Sequence, residues 1–290
     1  MTHSRITFVL FFLLLSISGE AKVVKKVHIQ NLNRSAVFII GKEKRSYSID
    51  EMVKETKIKK SNLITLEPHD HFKKTNYVGF DTKSLLNFIY GDKWQKSELV
   101  LFKCADGYQD AVPTENLITF NSLLAYKIEA MVKNASPPPF SLINEGQHET
   151  IDDLGPLYLV WDNITNKELK IEESAHWPYQ IVEIELAQFK NKFPKMTPTI
   201  ESPAVISGFK NFQKHCMSCH KINGNGGEKG PDLNLPTNIF LRLNEKTVRI
   251  KIDNPQSLNA QTTMPPLKLN LANRNKVIED IIAYLHAMKK

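Results

Sequence analysis

Cys216-Met217-Ser218-Cys219-His220 is the tightest constraint in this chain of 290 residues. Two thiols three positions apart, with an imidazole directly after the second, are spaced to serve one flat macrocycle. Both sulfurs can add across the vinyl groups of a porphyrin while the histidine reaches the iron from below. A bare Cys-x-x-Cys would leave a redox disulfide or a zinc site open. Zinc needs a second pair of ligands, and Cys104 is the only other cysteine. A thioredoxin-type dithiol calls for a strand-to-helix context and has no use for His220. The motif therefore predicts one covalent haem c, with Cys216 and Cys219 as attachment points and His220 as the proximal iron ligand. His215, which precedes Cys216, is expected at the surface.

The opposite face of the iron needs a ligand from another loop. Met264 lies 44 residues beyond His220 in Thr262-Thr263-Met264-Pro265-Pro266. The two prolines hold that loop extended and reduce the entropy lost in presenting a thioether. A methionine in a polar loop is poorly explained as core filler, so Met264 is the expected distal ligand. Met217 sits inside the attachment turn, Met288 on a helical stripe and Met196 in a proline-rich stretch. Gly230-Pro231-Asp232-Leu233 follows the attachment turn, where Pro231 leaves a nearby carbonyl free to accept from the proximal imidazole.

The residues around this motif fall into segments. Ile6 to Ile17 is a twelve-residue apolar run behind Arg5, followed by Gly19-Glu20-Ala21. A membrane span needs about 20 such residues, so residues 1–21 read as a cleaved export signal. The mature protein is then expected to be soluble and periplasmic, not membrane-spanning. From 22 to 190 short β-branched or aromatic runs dominate, among them VVKKVHI, SAVFII, LITLE, ELVLFK, LYLVW and YQIVEIEL. Thr82 to Tyr90 is expected to be a helix behind a Thr cap. Thr119 to Val132 is expected to be a second helix, with Leu123, Leu124, Ile128 and Met131 on one face. Residues 191–202 carry prolines and read as a linker. From 203 to 290 the pattern is helical, opening on a Ser202 cap with Pro203 in the first turn and closing on an apolar stripe from Asn273 to Met288.

Charge divides along the same line. Residues 203–290 hold 13 Lys or Arg against 6 Asp or Glu, whereas residues 22–202 hold 24 of each. The whole net charge of +7 therefore sits on the C-terminal part. That suits an acidic redox protein partner and does not by itself argue for nucleic acid.

Residues 203–290 resemble the class I monohaem cytochromes c across the whole segment. The match rests on Gly208 and Phe212 in the first helix, Cys216 to His220, Gly230 to Leu233, Met264-Pro265 and Tyr284-Leu285 in the last helix. The resemblance implies an all-α fold in which the first and last helices cross at Gly208 and Tyr284. The N-terminal segment is similar to the molybdopterin-binding domain of the sulfite oxidase superfamily, an α+β fold, in compact form. Thr75 to Phe80, Cys104-Ala105-Asp106-Gly107-Tyr108, Gly155-Pro156-Leu157 and Trp177-Pro178-Tyr179 carry that similarity. Its metal-ligating cysteine does not carry over, because residues 22–103 contain none. Where the family often has Arg after Gly-Pro-Leu, Tyr158 stands. The domain is therefore expected to be a scaffold without molybdenum, and Cys104 a buried thiol.

His69-Asp70-His71 could bring two imidazoles to one metal, with His28 or His176 as a third ligand, but it reads first as a polar turn after Pro68. Asp106, Asp110 and Glu115 read as loop solvation. The resulting expectation is an exported, two-domain c-type cytochrome transferring one electron at a time. Two alternatives stay open. One is an oxidoreductase whose N-terminal domain binds a pterin or molybdenum and feeds the haem. The other is a haem-based sensor or assembly factor in which Met264 is displaced.

Overall fold

The computed structural model describes residues 34–131, 142–144, 149–151, 153–166, 168–171, 177–200 and 202–289. The expected export signal, the VVKKVHI run, Pro137 to Pro139, His28 and His176 lie outside them. No helix among the described residues is long and apolar enough to cross a membrane.

The N-terminal region is α+β. Its elements are β1 (Ser35–Ile40), β2 (Glu43–Ser48), α1 (Ile49–Lys54), β3 (Lys60–Glu67), β4 (Lys73–Asp81) and α2 (Thr82–Tyr90). There follow β5 (Leu99–Cys104), β6 (Gln109–Pro113), α3 (Thr114–Thr119), β7 (Ser122–Glu129), β8 (Leu142–Asn144) and β9 (Glu149–Ile151). β10 (Tyr158–Trp161), α4 (Glu168–Ile171), β11 (Ile181–Ala187) and α5 (Phe189–Lys192) complete it. One sheet runs β2-β1-β11-β5-β6 and the other β10-β7-β4-β3. Only the β1–β11 pairing in these two sheets is parallel, joining the first and last long strands of the region.

Two expectations about this region need correction. The segment expected as a helix over 119–132 is mostly strand β7, paired to both β4 and β10. Ser122 to Ala125 are all buried, because an inner strand covered on both faces loses its alternation. A short continuous apolar run has no period that separates strand from helix. The helix is instead the shorter α3 before it. The second correction is small: α2 has the expected bounds, but its cap is Asp81, whose carboxylate accepts from Ser84 N at 2.9 Å. Thr82 is its first helical residue.

The C-terminal region is α-rich. It comprises α6 (Pro203–His215), the two-residue strands β12 (Lys221–Ile222) and β13 (Asn225–Gly226), α7 (Ile239–Arg242), α8 (Glu245–Asp253) and α9 (Arg274–Ala287). Ser202 caps α6 through its hydroxyl, which accepts from Val205 N, and Pro203 occupies the first turn. α6 and α9 cross at Gly208. A Cβ there would sit 1.8 Å from the Asp280 carbonyl oxygen, so only glycine lets the backbones meet. Phe209 and Phe212 flank the crossing, their rings 5.5 and 5.3 Å from Tyr284. The Tyr284 hydroxyl donates to Met196 O at 2.7 Å.

Two residues of the stretch expected as a linker are anchored in a core. Phe193 and Met196 are buried in one apolar cluster with Leu99, Leu101, Ala187 and Val205. The outer face of β5 is thus also a wall of the C-terminal core, and the two regions share apolar surface.

Candidate haem site

The attachment turn follows directly from α6. Cys216 N and Met217 N both donate to Phe212 O, and His220 N donates to Cys216 O. These bonds fold Cys216 to His220 into one tight turn. Met217 points into the core at 3% exposure. No disulfide joins any two of the three cysteines. Burial, with Cys219 beside it, pushes the Cys216 thiol up to about 12.

Cys216, Cys219 and Met264 line one cavity of about 670 Å³, a size suited to a cofactor. His220 is not among its lining residues. Its ring is packed against Gly230, where a Cβ would lie 2.5 Å from His220 Cε1. Its Nδ1 donates to the Pro231 carbonyl at 2.9 Å. A carbonyl can only accept, so the proton sits on Nδ1 and Nε2 carries the lone pair. Burial lowers the pKa of His220, opposed by that bond, and keeps the imidazole in the neutral form that binds metal. Two thiols opening on one cavity, a thioether on its lining and a histidine with a fixed tautomer fit a covalent haem.

His215 is half-buried rather than fully exposed. It lines the same cavity, and burial together with Lys214 and Lys268 lowers its pKa to about 4. The attachment turn by itself carries no sign of the cavity that His215 lines together with Met264 and Lys268.

The N-terminal region supplies the other wall. His69, His71, Cys104, Tyr108, Trp177 and Tyr179 line the cavity alongside the cysteines. The turn between β5 and β6 docks on the attachment turn through backbone bonds. Gln109 N donates to Ser218 O at 2.8 Å, and Glu228 N donates to Gly107 O at 2.7 Å. Lys229 pairs with Asp106 at 2.9 Å, so Asp106 does more than solvate a loop. Asp110 is buried at 1% exposure, and Ser218 Oγ lies 3.5 Å from its carboxylate. Cys104 is 3% exposed, and burial pushes its thiol well up.

His69 to Phe72 form the turn between β3 and β4. Among the described residues no group of three or more His, Cys, Asp or Glu could hold a metal ion. What the sequence did not single out is Glu67, which is completely buried. Its carboxylate accepts from Tyr77 OH at 2.5 Å, Tyr158 OH at 2.8 Å and His69 N at 3.0 Å, with His69 Nδ1 also at 3.0 Å. Burial raises the Glu67 pKa, but His69 and Tyr77 outweigh it and hold the carboxyl below its usual value. The available signal was a glutamate ending the apolar run LITLE.

Two helices crossed at Gly208, a Cys-x-x-Cys-His turn directly after the first of them and Met264 on the same cavity as both thiols are the features that set this domain's class. Residues 205–289 match the family model described as cytochrome c, and the C-terminal domain is a cytochrome c family domain. No curated protein matches the chain.

Proposed function

We propose that this chain is an exported c-type cytochrome that passes single electrons through one covalently attached haem. In this reading Cys216 and Cys219 form the thioethers, and His220 and Met264 bind the iron from its two faces. The haem, when bound, supplies reversible one-electron chemistry. The protein's part is to hold both axial groups in place, keep His220 in one tautomer through Pro231, and exclude water from the cavity. The observation that carries the reading is the meeting of both thiols and the Met264 thioether on one cavity.

The surrounding assignments belong to the same reading. Residues 1–21 are removed on export to the periplasm, 22–190 form the first domain, 191–202 connect and 203–290 carry the haem. The first domain keeps a compact sulfite-oxidase-like frame and serves as a scaffold without molybdenum. Where that family often has Arg, Tyr158 is tied to Glu67, which leaves its hydroxyl committed to an internal bond. The basic C-terminal domain meets an acidic redox partner.

A second reading is favoured by the N-terminal wall of the cavity: an oxidoreductase whose first domain acts on substrate and feeds the haem. One preparation separates the two, namely holoprotein matured in cells that make the pterin cofactor. A one-electron redox titration with no molybdenum by elemental analysis is the expected result. Near-stoichiometric molybdenum would replace the scaffold with the enzyme.

A further inference from the structure

The Glu67 network is costly to build. A carboxylate removed from water loses several kcal/mol of solvation, and an apolar side chain of similar size is often as stable or better in such a place. Here four donor contacts gather on it instead, and two come from a single residue, His69. A buried carboxylate can do something for an imidazole that an apolar group cannot: it fixes the ring's orientation and favours a proton on the facing nitrogen.

His69 is held from several sides. Its Nδ1 lies 3.0 Å from Glu67 Oε1 and 3.2 Å from Tyr158 OH. The Tyr179 ring stands edge-on at 5.7 Å. The side chain retains 12% exposure, and it lines the interdomain cavity. The charges around that cavity have one dominant sign. Lys214, Lys229 and Lys268 line it against the carboxylate of Asp106, which pairs with Lys229. An oriented imidazole in a basic wall suits an anion with acceptor oxygens.

We propose that the Glu67–His69 pair is a carboxylate-binding element in the wall of the interdomain cavity, which takes up one proton with its ligand so that the imidazolium donates Nδ1–H to Glu67 and Nε2–H to a carboxylate oxygen of the ligand. The carboxylate is either a propionate of the haem or the head group of a small organic acid. The first source rests on the haem reading of the cavity; the second requires only that the cavity admit the acid. Glu67, Tyr77 and Tyr158 act as positioning residues behind His69.

The test uses full-length, haem-loaded protein and the variant His69→Gln, with His69→Asn as a second variant of different length. Resonance Raman spectra report the propionate bending modes, and an acetate titration followed in the haem absorption spectrum reports a small acid. A propionate ligand predicts that the bending modes move in the variants while acetate has no effect on the wild type. A small-acid ligand predicts a saturable acetate response in the wild type that the variants lose at least tenfold in affinity. The proposal is overturned if the wild type ignores acetate and either folded variant leaves the propionate modes unchanged. Protein that carries no haem fails the reading of the site itself, whereas haem-loaded protein indifferent to residue 69 fails this inference alone.

Discussion

Met264 is the residue whose removal speaks most clearly about the iron. It lies on a loop made rigid by Pro265 and Pro266, and its backbone carbonyl accepts from Gln256 Nε2 at 3.1 Å. Met264→Ala should leave the haem attached and open the sixth position. In the oxidised variant the sulfur-to-iron charge-transfer band, expected from the resemblance to class I cytochromes c, should vanish. Its reduced form should bind carbon monoxide, and the parent should not. An unchanged spectrum that still excludes carbon monoxide would point to another ligand, and His215, His69 and His71 are the histidines on that cavity. Glu67 offers a second prediction with a definite sign. Its folded pKa is held below the unfolded value, so the unfolded chain takes up the proton first on acidification. The stability it contributes is present above the ordinary glutamate value and is lost as pH falls through the folded one. Tyr77→Phe removes a donor to a buried carboxylate and should cost about 1.5–3 kcal/mol at neutral pH. Urea melts across a pH series should show that deficit shrinking in acid. A deficit independent of pH would mean that Glu67 is already protonated.

At the scale of elements, the crossing of α6 and α9 is the joint on which the C-terminal domain depends. Gly208→Ala would force a methyl into the Asp280 carbonyl, and overpacking of this kind costs about 1–3 kcal/mol or more. Thermal melts should show a lowered midpoint with the haem still covalently bound, and an unchanged midpoint would refute the close approach. The two helices were legible in local signals, the Ser202-Pro203 start and the terminal apolar stripe, whereas their crossing at Gly208 and Tyr284 was implied by the resemblance to class I cytochromes c. The outer sheets were less so. β2 reads Glu43-Lys44-Arg45-Ser46-Tyr47-Ser48, and its first four residues are exposed. An edge strand held by backbone pairing with β1 needs no hydrophobic pattern and leaves none to read. β7 failed for the opposite reason, being buried too completely to alternate.

For the whole molecule, the finding without a local signal is that the first domain supplies one wall of the cavity on which Cys216, Cys219 and Met264 open. No spacing within residues 203–290 announces that Gly107 will pair with Glu228, or Gln109 with Ser218. Those contacts join positions more than a hundred residues apart and exist only once both regions have folded. From the first domain, Cys104, Asp106 and Tyr108 line that cavity together with Trp177, Pro178 and Tyr179. The shared apolar cluster, with Leu99 and Leu101 against Phe193 and Met196, couples the two domains. Everything said of function depends on a haem joined to Cys216 and Cys219. The direct measurement is the intact mass of denatured protein produced with c-type cytochrome maturation, beside the Cys216→Ser/Cys219→Ser double variant. The account predicts a mature chain beginning at Lys22 and heavier by one haem, and a double variant without that increment. A parent protein whose denatured mass is that of the bare polypeptide would contradict it.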